Sequence, residues 1–353
     1  MQSIYWVLSW ACHRKCPHCY DDRFRPYVRA SLRAVVGEGQ AAWPHIIAHL
    51  PNRMQWTDSN GRDQPTTLIL AGGELLIDGV REELFYPVLA GIRERWGVES
   101  PDGRPRVSVQ TTGDIMTAAH VREMIARGVS TIAIASIDDY HVGHAGEGKF
   151  QLMERIRTMM ARLGVREVSL GIAKDVRLKE PNAVRMEGGP TFLFFGAQPD
   201  LWIGELWPRG RAWTNGLVQA DYDTNFCARW SGAKSFLDYG QTGSEVAIEP
   251  DGSLYPCCLK TGAPLGNLTE ERLTDILDDL RAEPAILALN RGDPEAMGEH
   301  DGLSRAAFRQ TSVKVNPKGR TIANPCLGCD AYFRKTLGDV LRKRRTARLA
   351  VAR

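Results

Sequence analysis

Eight cysteines are the side chains of this 353-residue sequence best suited to chemistry, and their spacing sorts them into groups. Cys12, Cys16 and Cys19 stand in WACHRKCPHCY as C-x3-C-x2-C followed by Tyr20, Cys227 stands alone, Cys257 and Cys258 are adjacent in EPDGSLYPCC, and Cys326 and Cys329 form a C-x2-C in NPCLGCD. Such grouping is ligand spacing rather than a disulfide framework. A structural zinc takes four protein ligands, so three cysteines in one loop leave it incomplete unless His13 or His18 completes the set. A [4Fe-4S] cluster held by three thiolates leaves one iron open to another molecule.

The elements that must hold these residues are readable from period. IYWVLSW (4–10), TTLILAG (66–72), RVSVQTTG (106–113), TIAIASID (131–138), EVSLGIA (167–173) and TFLFFGA (191–197) are short apolar runs, predicted to be strands buried on both faces. Stretches with apolar residues at helical spacing alternate with them, as in REELFYPVLAGIRERWG and KFQLMERIRTMMARLG, several ending at glycine. This β-α repeat predicts an α/β fold with a parallel sheet and right-handed crossovers. Six units rather than eight predict an open, partial (β/α)6 TIM-like barrel with its chemistry at the carboxyl ends of the strands. The first three cysteines follow the first strand at that end.

With strand, cysteines and Tyr20 in this order, the chain resembles the radical S-adenosylmethionine (SAM) enzymes. LAGGELL adds Gly72, Gly73 and Glu74 at the end of the second strand, similar to the family's G-G-E motif, with Leu75 where the family usually has proline. The resemblance implies that Cys12, Cys16 and Cys19 hold a [4Fe-4S] cluster whose open iron chelates SAM, and that Glu74 binds the SAM amino group. Tyr20 would then touch the adenine, while Thr112 and Ser136, at the ends of the third and fourth strands, would contact the ribose. It further implies a reductant such as flavodoxin or ferredoxin.

Cys257 five residues after Gly252 resembles the hairpin of the SPASM and shorter twitch extensions of that family. Cys227, Cys257, Cys326 and Cys329 would supply four thiolates for one auxiliary [4Fe-4S] cluster, as in the twitch-type aminocyclitol dehydrogenases, with tetrahedral zinc as the competing occupant. Cys258 is expected to be a spare neighbour. PRGRA resembles a P-x-G-R-A stretch common in SPASM proteins, and Arg211 is expected to face a substrate hydroxyl or carboxylate, or else to form a surface ion pair. Trp202, Trp207 and Trp213 are expected to pack at a domain junction. Asp138 and His141, in SIDDYHVGH after the fourth strand, are rim candidates for binding substrate or accepting a proton.

Composition bounds the rest. At 43% hydrophobic and 25% charged the chain is an ordinary globular protein. MQSIYWVLSWACH has no basic n-region and only a short apolar run, so neither a signal peptide nor a membrane anchor is expected, and the location expected is cytoplasmic. The net charge is +3, of which residues 335–353 carry seven Lys/Arg and one Asp, +6, so the first 334 residues carry −3. A nucleic-acid partner is therefore not expected, and the basic tail is expected to be a helix docked by one face. The expected domains are a radical SAM barrel at 1–200, an auxiliary cluster domain at 201–335 and a basic helix at 336–353. The expected activity is hydrogen abstraction from a small polar substrate with the auxiliary cluster as electron acceptor. The alternatives are a maturase acting on a peptide substrate and a non-catalytic iron-sulfur or zinc-binding interaction protein.

Overall fold

A computed structural model describes residues 1–97, 103–168, 189–197, 205–229 and 231–351. Its main sheet has nine strands: β1 (Ser3–Val7), β2 (Thr67–Ala71), β3 (Arg106–Thr111), β4 (Val129–Ile134), β5 (Arg166–Glu167), β6 (Thr191–Phe194), β7 (Glu245–Ile248), β8 (Ser253–Tyr255) and β9 (Gly266–Asn267). They lie in the order β9-β8-β7-β1-β2-β3-β4-β6-β5. All neighbours from β7 to β5 are parallel, and the β7-β8 and β8-β9 pairs are antiparallel. Helices α1 (Arg29–His49), α2 (Tyr86–Trp96), α3 (Ala118–Ala126) and α4 (Glu147–Arg162) fill the connections of the first four units. Ile4, Leu68, Leu70, Val109 and Ile134 are fully buried, as parallel strands covered by helices must be.

The six apolar runs become β1 to β6, with two differences. Of EVSLGIA only Glu167 lies in β5, since residues 169–188 fall outside the described part. The last two strands are also transposed, β6 pairing with β4 while β5 sits outside it.

The sheet also runs past the boundary expected at residue 200. β7 pairs with β1 from Ser3↔Glu245 to Trp6↔Ile248, so β1 lies between β2 and β7, and the auxiliary hairpin continues the barrel sheet. Between that hairpin and the last cysteines, helices Leu273–Leu280, Pro284–Asn290 and Arg305–Thr311 and a small hairpin, Val313–Val315 with Thr321–Ala323, occupy the segment that motif spacing left blank.

The terminal helix starts earlier than residue 336. Pro325–Tyr332 passes through a wider turn at Phe333–Leu337 into Gly338–Val351, so Cys326 and Cys329 lie in the first turns of a helix that reaches the C-terminus. Its basic residues are spent within the chain: Arg344 on Asp279 (2.9 Å), Arg345 on Glu271 (3.1 Å) and Arg348 on Glu271 and Asp279 (2.7 and 2.6 Å). Leu337 and Leu341 bury the apolar edge of the same face. No helix among the described residues is long and apolar enough to cross a membrane.

Candidate active site

The cysteine loop begins where β1 ends, and three neighbouring strand ends hold it. Gly73 donates to the Ser9 carbonyl (3.0 Å) and the Glu74 amide to that of Ala11 (2.9 Å). A Cβ on Gly73 would stand 2.2 Å from the Ala11 oxygen and 2.7 Å from the Cys12 Cβ, so only glycine lets the second loop lie on the first. After β3, Asp114 Oδ2 accepts from Arg14 Nε (2.7 Å) and meets His13 Nε2 at 2.8 Å, pinning the loop's middle. Burial opposes ionisation of Asp114, but hydrogen bonds from His13, Thr112 and Arg14 outweigh it and hold the carboxyl below the usual range.

Arg211 provides the fourth support. It lines the cleft at the strand ends, and its guanidinium is held by backbone carbonyls: Nε donates to that of Cys16 (2.7 Å), Nη2 to that of Phe24 (2.7 Å), and Nη1 to those of Asp22 (3.2 Å) and Asp21 (3.5 Å). The Arg211 amide also donates to the Cys19 carbonyl (2.8 Å). The side chain is only 8% exposed, with the exposed Asp22 carboxylate 4.0 Å from Nη1. At φ +54°, Gly210 brings this turn so close that a Cβ would stand 2.3 Å from the Tyr20 carbonyl carbon.

The strand ends surround a cleft lined by residues that include Cys12, Cys16, Cys19, Tyr20, Gly72, Gly73, Thr112, Asp138 and His141. Tyr20 packs against Phe24 and Trp207, with ring centroids 5.4 Å apart in both pairs, and its hydroxyl lies 3.4 Å from that of Tyr5. Trp207 thus packs against the cysteine loop, Trp213 packs half-buried on the core, and Trp202 lies outside the described residues.

Two polar candidates turn away from the cleft. Ser136 is fully buried and donates to the Thr112 carbonyl (2.6 Å), so it braces β3 against β4 rather than meeting a ribose. Glu74 is 1% exposed, and its carboxylate accepts from the Leu76 amide (3.0 Å), the Thr111 hydroxyl (2.9 Å) and the Thr112 amide and hydroxyl (2.7 and 2.6 Å). It shapes the cleft through Thr112 instead of reaching into it. Glu74→Gln turns an amide donor toward this all-donor cage, and is expected to cost about 1–3 kcal/mol in thermal unfolding of the apoprotein. An unchanged melting curve with weakened SAM binding would restore Glu74 to direct contact.

Asp138 and His141 form a dyad. The buried Asp138 carboxylate accepts the Tyr140, His141 and Ala197 amides (2.9, 3.0 and 3.0 Å) and lies 2.9 Å from His141 Nδ1. Burial would raise its pKa, but the His141 hydrogen bond and the neighbouring histidines hold it below the usual carboxylate range. His18, which sequence reasoning weighed only as a zinc ligand, packs edge-on to His141 at 4.5 Å, and burial with its neighbour's charge pushes its pKa down to about 4.

A second cavity gathers the distant cysteines. Cys227, Cys257, Cys326 and Cys329 line it together with Arg209 and Lys260. Two similar caps present its ligands: Asn225 Oδ1 accepts the Cys227 amide and Asn324 Oδ1 the Cys326 amide, each at 3.0 Å. Asn324 Nδ2 donates to the Asp221 and Thr224 carbonyls (2.7 and 3.0 Å), tying the two turns together. This N-x-C pattern is present twice in the sequence and is the signal that motif reading missed. Cys258 lies outside the second cavity and lines the first cleft with Tyr5 and Tyr20, while Cys257 lines the second.

Both thiol sets suit iron-sulfur clusters. Burial pushes Cys12 and Cys326 up to about 12 and Cys19 and Cys257 up to about 11, so these thiols ionise only against a bound cation. Zinc at about 2.3 Å from four sulfurs would set them about 3.8 Å apart. Among the described residues, the groups of three ligand atoms within 4.8 Å of one another are His18-Asp138-His141 and His13-Glu74-Asp114, neither containing a cysteine. Three thiols in one cavity and four in the other match the ligand counts of a site-open and a fully ligated cubane.

Residues 241–297 match the SPASM family model, an iron-sulfur cluster-binding domain. This segment contains β7, β8 and Cys257. No curated protein matches the sequence. Similar solved structures include BtrN in complex with AdoMet and 2-DOIA, at 12% identity over 86% of this chain and 90% of that one, TM-score 0.42. Others are native anSMEcpe with bound AdoMet and Cp18Cys peptide, at 13% over 98% and 99%, TM-score 0.41, and Streptococcus suis SuiB bound to precursor peptide SuiA, at 11% over 78% and 64%, TM-score 0.34.

Proposed function

We propose that this chain is a radical SAM oxidoreductase that dehydrogenates a small polar substrate, with SAM bound at the Cys12-Cys16-Cys19 loop and an electron-accepting cluster at Cys227, Cys257, Cys326 and Cys329. The observation that carries the reading is the opposed placement of Cys257 and Cys258, which sets the two thiol-lined cavities one residue apart along the backbone. When bound, the first cluster and SAM supply a hydrogen-abstracting radical, and the second cluster supplies a one-electron sink.

The chain's own groups manage the proton. Oxidising an alcohol carbon to a carbonyl removes a hydrogen atom, a proton and an electron, and the hydroxyl proton needs an acceptor in the cleft. His141 is that acceptor: Asp138 takes its Nδ1-H, fixes the tautomer and leaves Nε2 to receive the proton. Tyr5, Tyr20, Phe24 and Trp207 give the cleft an apolar wall that keeps water from the reacting carbon.

The test is anaerobic turnover of the reconstituted enzyme with deuterated polyols, cyclitols and nucleosides. A substrate should pass deuterium into 5'-deoxyadenosine and appear as a product about three mass units lighter than the deuterated substrate, one D lost from carbon and one H from oxygen. A Cys326→Ala/Cys329→Ala variant should hold the first cluster and cleave SAM, yet form no oxidised product. Product at wild-type yield from that variant would remove the electron-acceptor role, and deuterium arriving only from a peptide would replace the small substrate with a peptide one.

A further inference from the structure

The second cavity holds more than thiols. Arg209 and Lys260 line it beside the four cysteines, although neither is a ligand and both are largely buried, with side chains 19% and 11% exposed. Each cation has carboxylates of its own, Arg209 pairing with Asp330 (2.8 Å) and Lys260 with Asp21 (2.7 Å) and Glu249. None of these carboxylates lines the cavity. Arg209 thus brings its charge to the sulfurs, whereas Lys260 meets the cavity through its backbone amide at Cys257 and turns its ammonium to Asp21, Glu249 and the Trp10 ring.

Lys260 keeps this arrangement at a backbone cost. It is one of three non-glycine residues with positive φ among those described, at +63°, and it directly follows the Cys257-Cys258-Leu259 turn. Such a conformation persists in a bulky residue only where its surroundings fix it. Here the Trp10 ring, 4.1 Å from Nζ, does so together with Asp21 and Glu249.

We propose that Arg209 is a positioning residue that holds the second cluster's reduction potential high enough to accept an electron. The inference rests on the two-cluster reading above. A cluster bound by four thiolates is anionic and becomes more so on reduction, so a cation beside it stabilises the reduced state most. The low exposure of the Arg209 side chain limits solvent screening of that effect. At Cys326 and Cys329 the charge of Arg209 acts more strongly than the opposing charge of Asp330, in keeping with the cation being nearer. Lys260 also grips Asp21, two residues beyond Cys19, so the same side chain joins the first cysteine loop to the second cavity.

The test is an anaerobic redox titration of the reconstituted full chain followed by electron paramagnetic resonance, with iron counted in every sample. Arg209→Met should lower the second cluster's midpoint by about 60 mV, equivalent to about tenfold in the one-electron equilibrium, and Lys260→Met, which removes an ammonium held by Asp21 and Glu249, should move it less. Arg209→Lys should stay near wild type, and Asp330→Asn should move the midpoint upward. The first cluster should keep its potential in Arg209→Met. If Arg209→Met holds no second cluster, Asp330→Asn carries the test by its upward shift. A second cluster indifferent to these substitutions would overturn the inference and leave the proposed function standing. Wild-type protein with only about four iron atoms would overturn the two-cluster reading and this inference with it.

Discussion

Replacing Cys12, Cys16 and Cys19 together with alanine is expected to halve the iron of the reconstituted protein, from about eight to about four atoms per chain, and to abolish reductive cleavage of SAM. The two thiol sets line separate cavities and share no ligand, so emptying one leaves the donors of the other in place. The N-terminal loop is also held from outside by Arg14, Arg211 and the Gly73 contact, which survive the substitutions and should preserve the fold. Iron and sulfide assays with detection of 5'-deoxyadenosine read both quantities. A triple variant retaining eight iron atoms would show that these cysteines hold no cluster.

Arg211→Met should have the next largest effect. The guanidinium satisfies carbonyls of Cys16, Asp21, Asp22 and Phe24 at once, in a place 8% exposed, and methionine leaves them without donors. Destabilisation on the order of 3–5 kcal/mol follows, since several buried acceptors lose a charged partner together. The loss should fall on the first cluster, dropping iron to about four atoms per chain while the second site stays loaded. Arg211→Lys should recover only part, because one ammonium cannot span the Cys16 and Phe24 carbonyls as a planar fork does. Full iron content with only a raised substrate KM would mean that Arg211 is a substrate ligand after all.

These two variants also mark where sequence reading succeeds and stops. The cysteine triad after β1 and the Gly-Gly-Glu turn after β2 are legible because their chemistry depends on local spacing and strand ends announce themselves by apolar runs. The role of Arg211 is not legible, since its partners are backbone carbonyls some 190 residues away, and carbonyls carry no residue identity. Glu74 and Ser136 show the same limit in reverse: a polar residue at a strand end reads as a contact for a ligand, but its neighbours on the adjoining strand can absorb every bond it makes. The asparagine caps at Cys227 and Cys326 lie in between, printed twice as N-x-C yet meaningless until both turns are seen to face one cavity.

The join of β7 to β1 has a consequence for how the protein is made. Ser3 and its partner Glu245 are 242 residues apart, so at ~5–20 residues per second the first strand waits roughly 10–50 s on the ribosome for its second neighbour. During that interval β1 exposes one edge, with the three cysteines hanging from its end, and an unpaired apolar edge is a template for wrong partners. Slow translation, scarce iron or a stalled C-terminal half would each prolong this exposure. Poor yields in a foreign host would then trace to the first strand's long wait rather than to a weak final fold, and a chaperone that covers strand edges should raise yield more than an added iron supply alone.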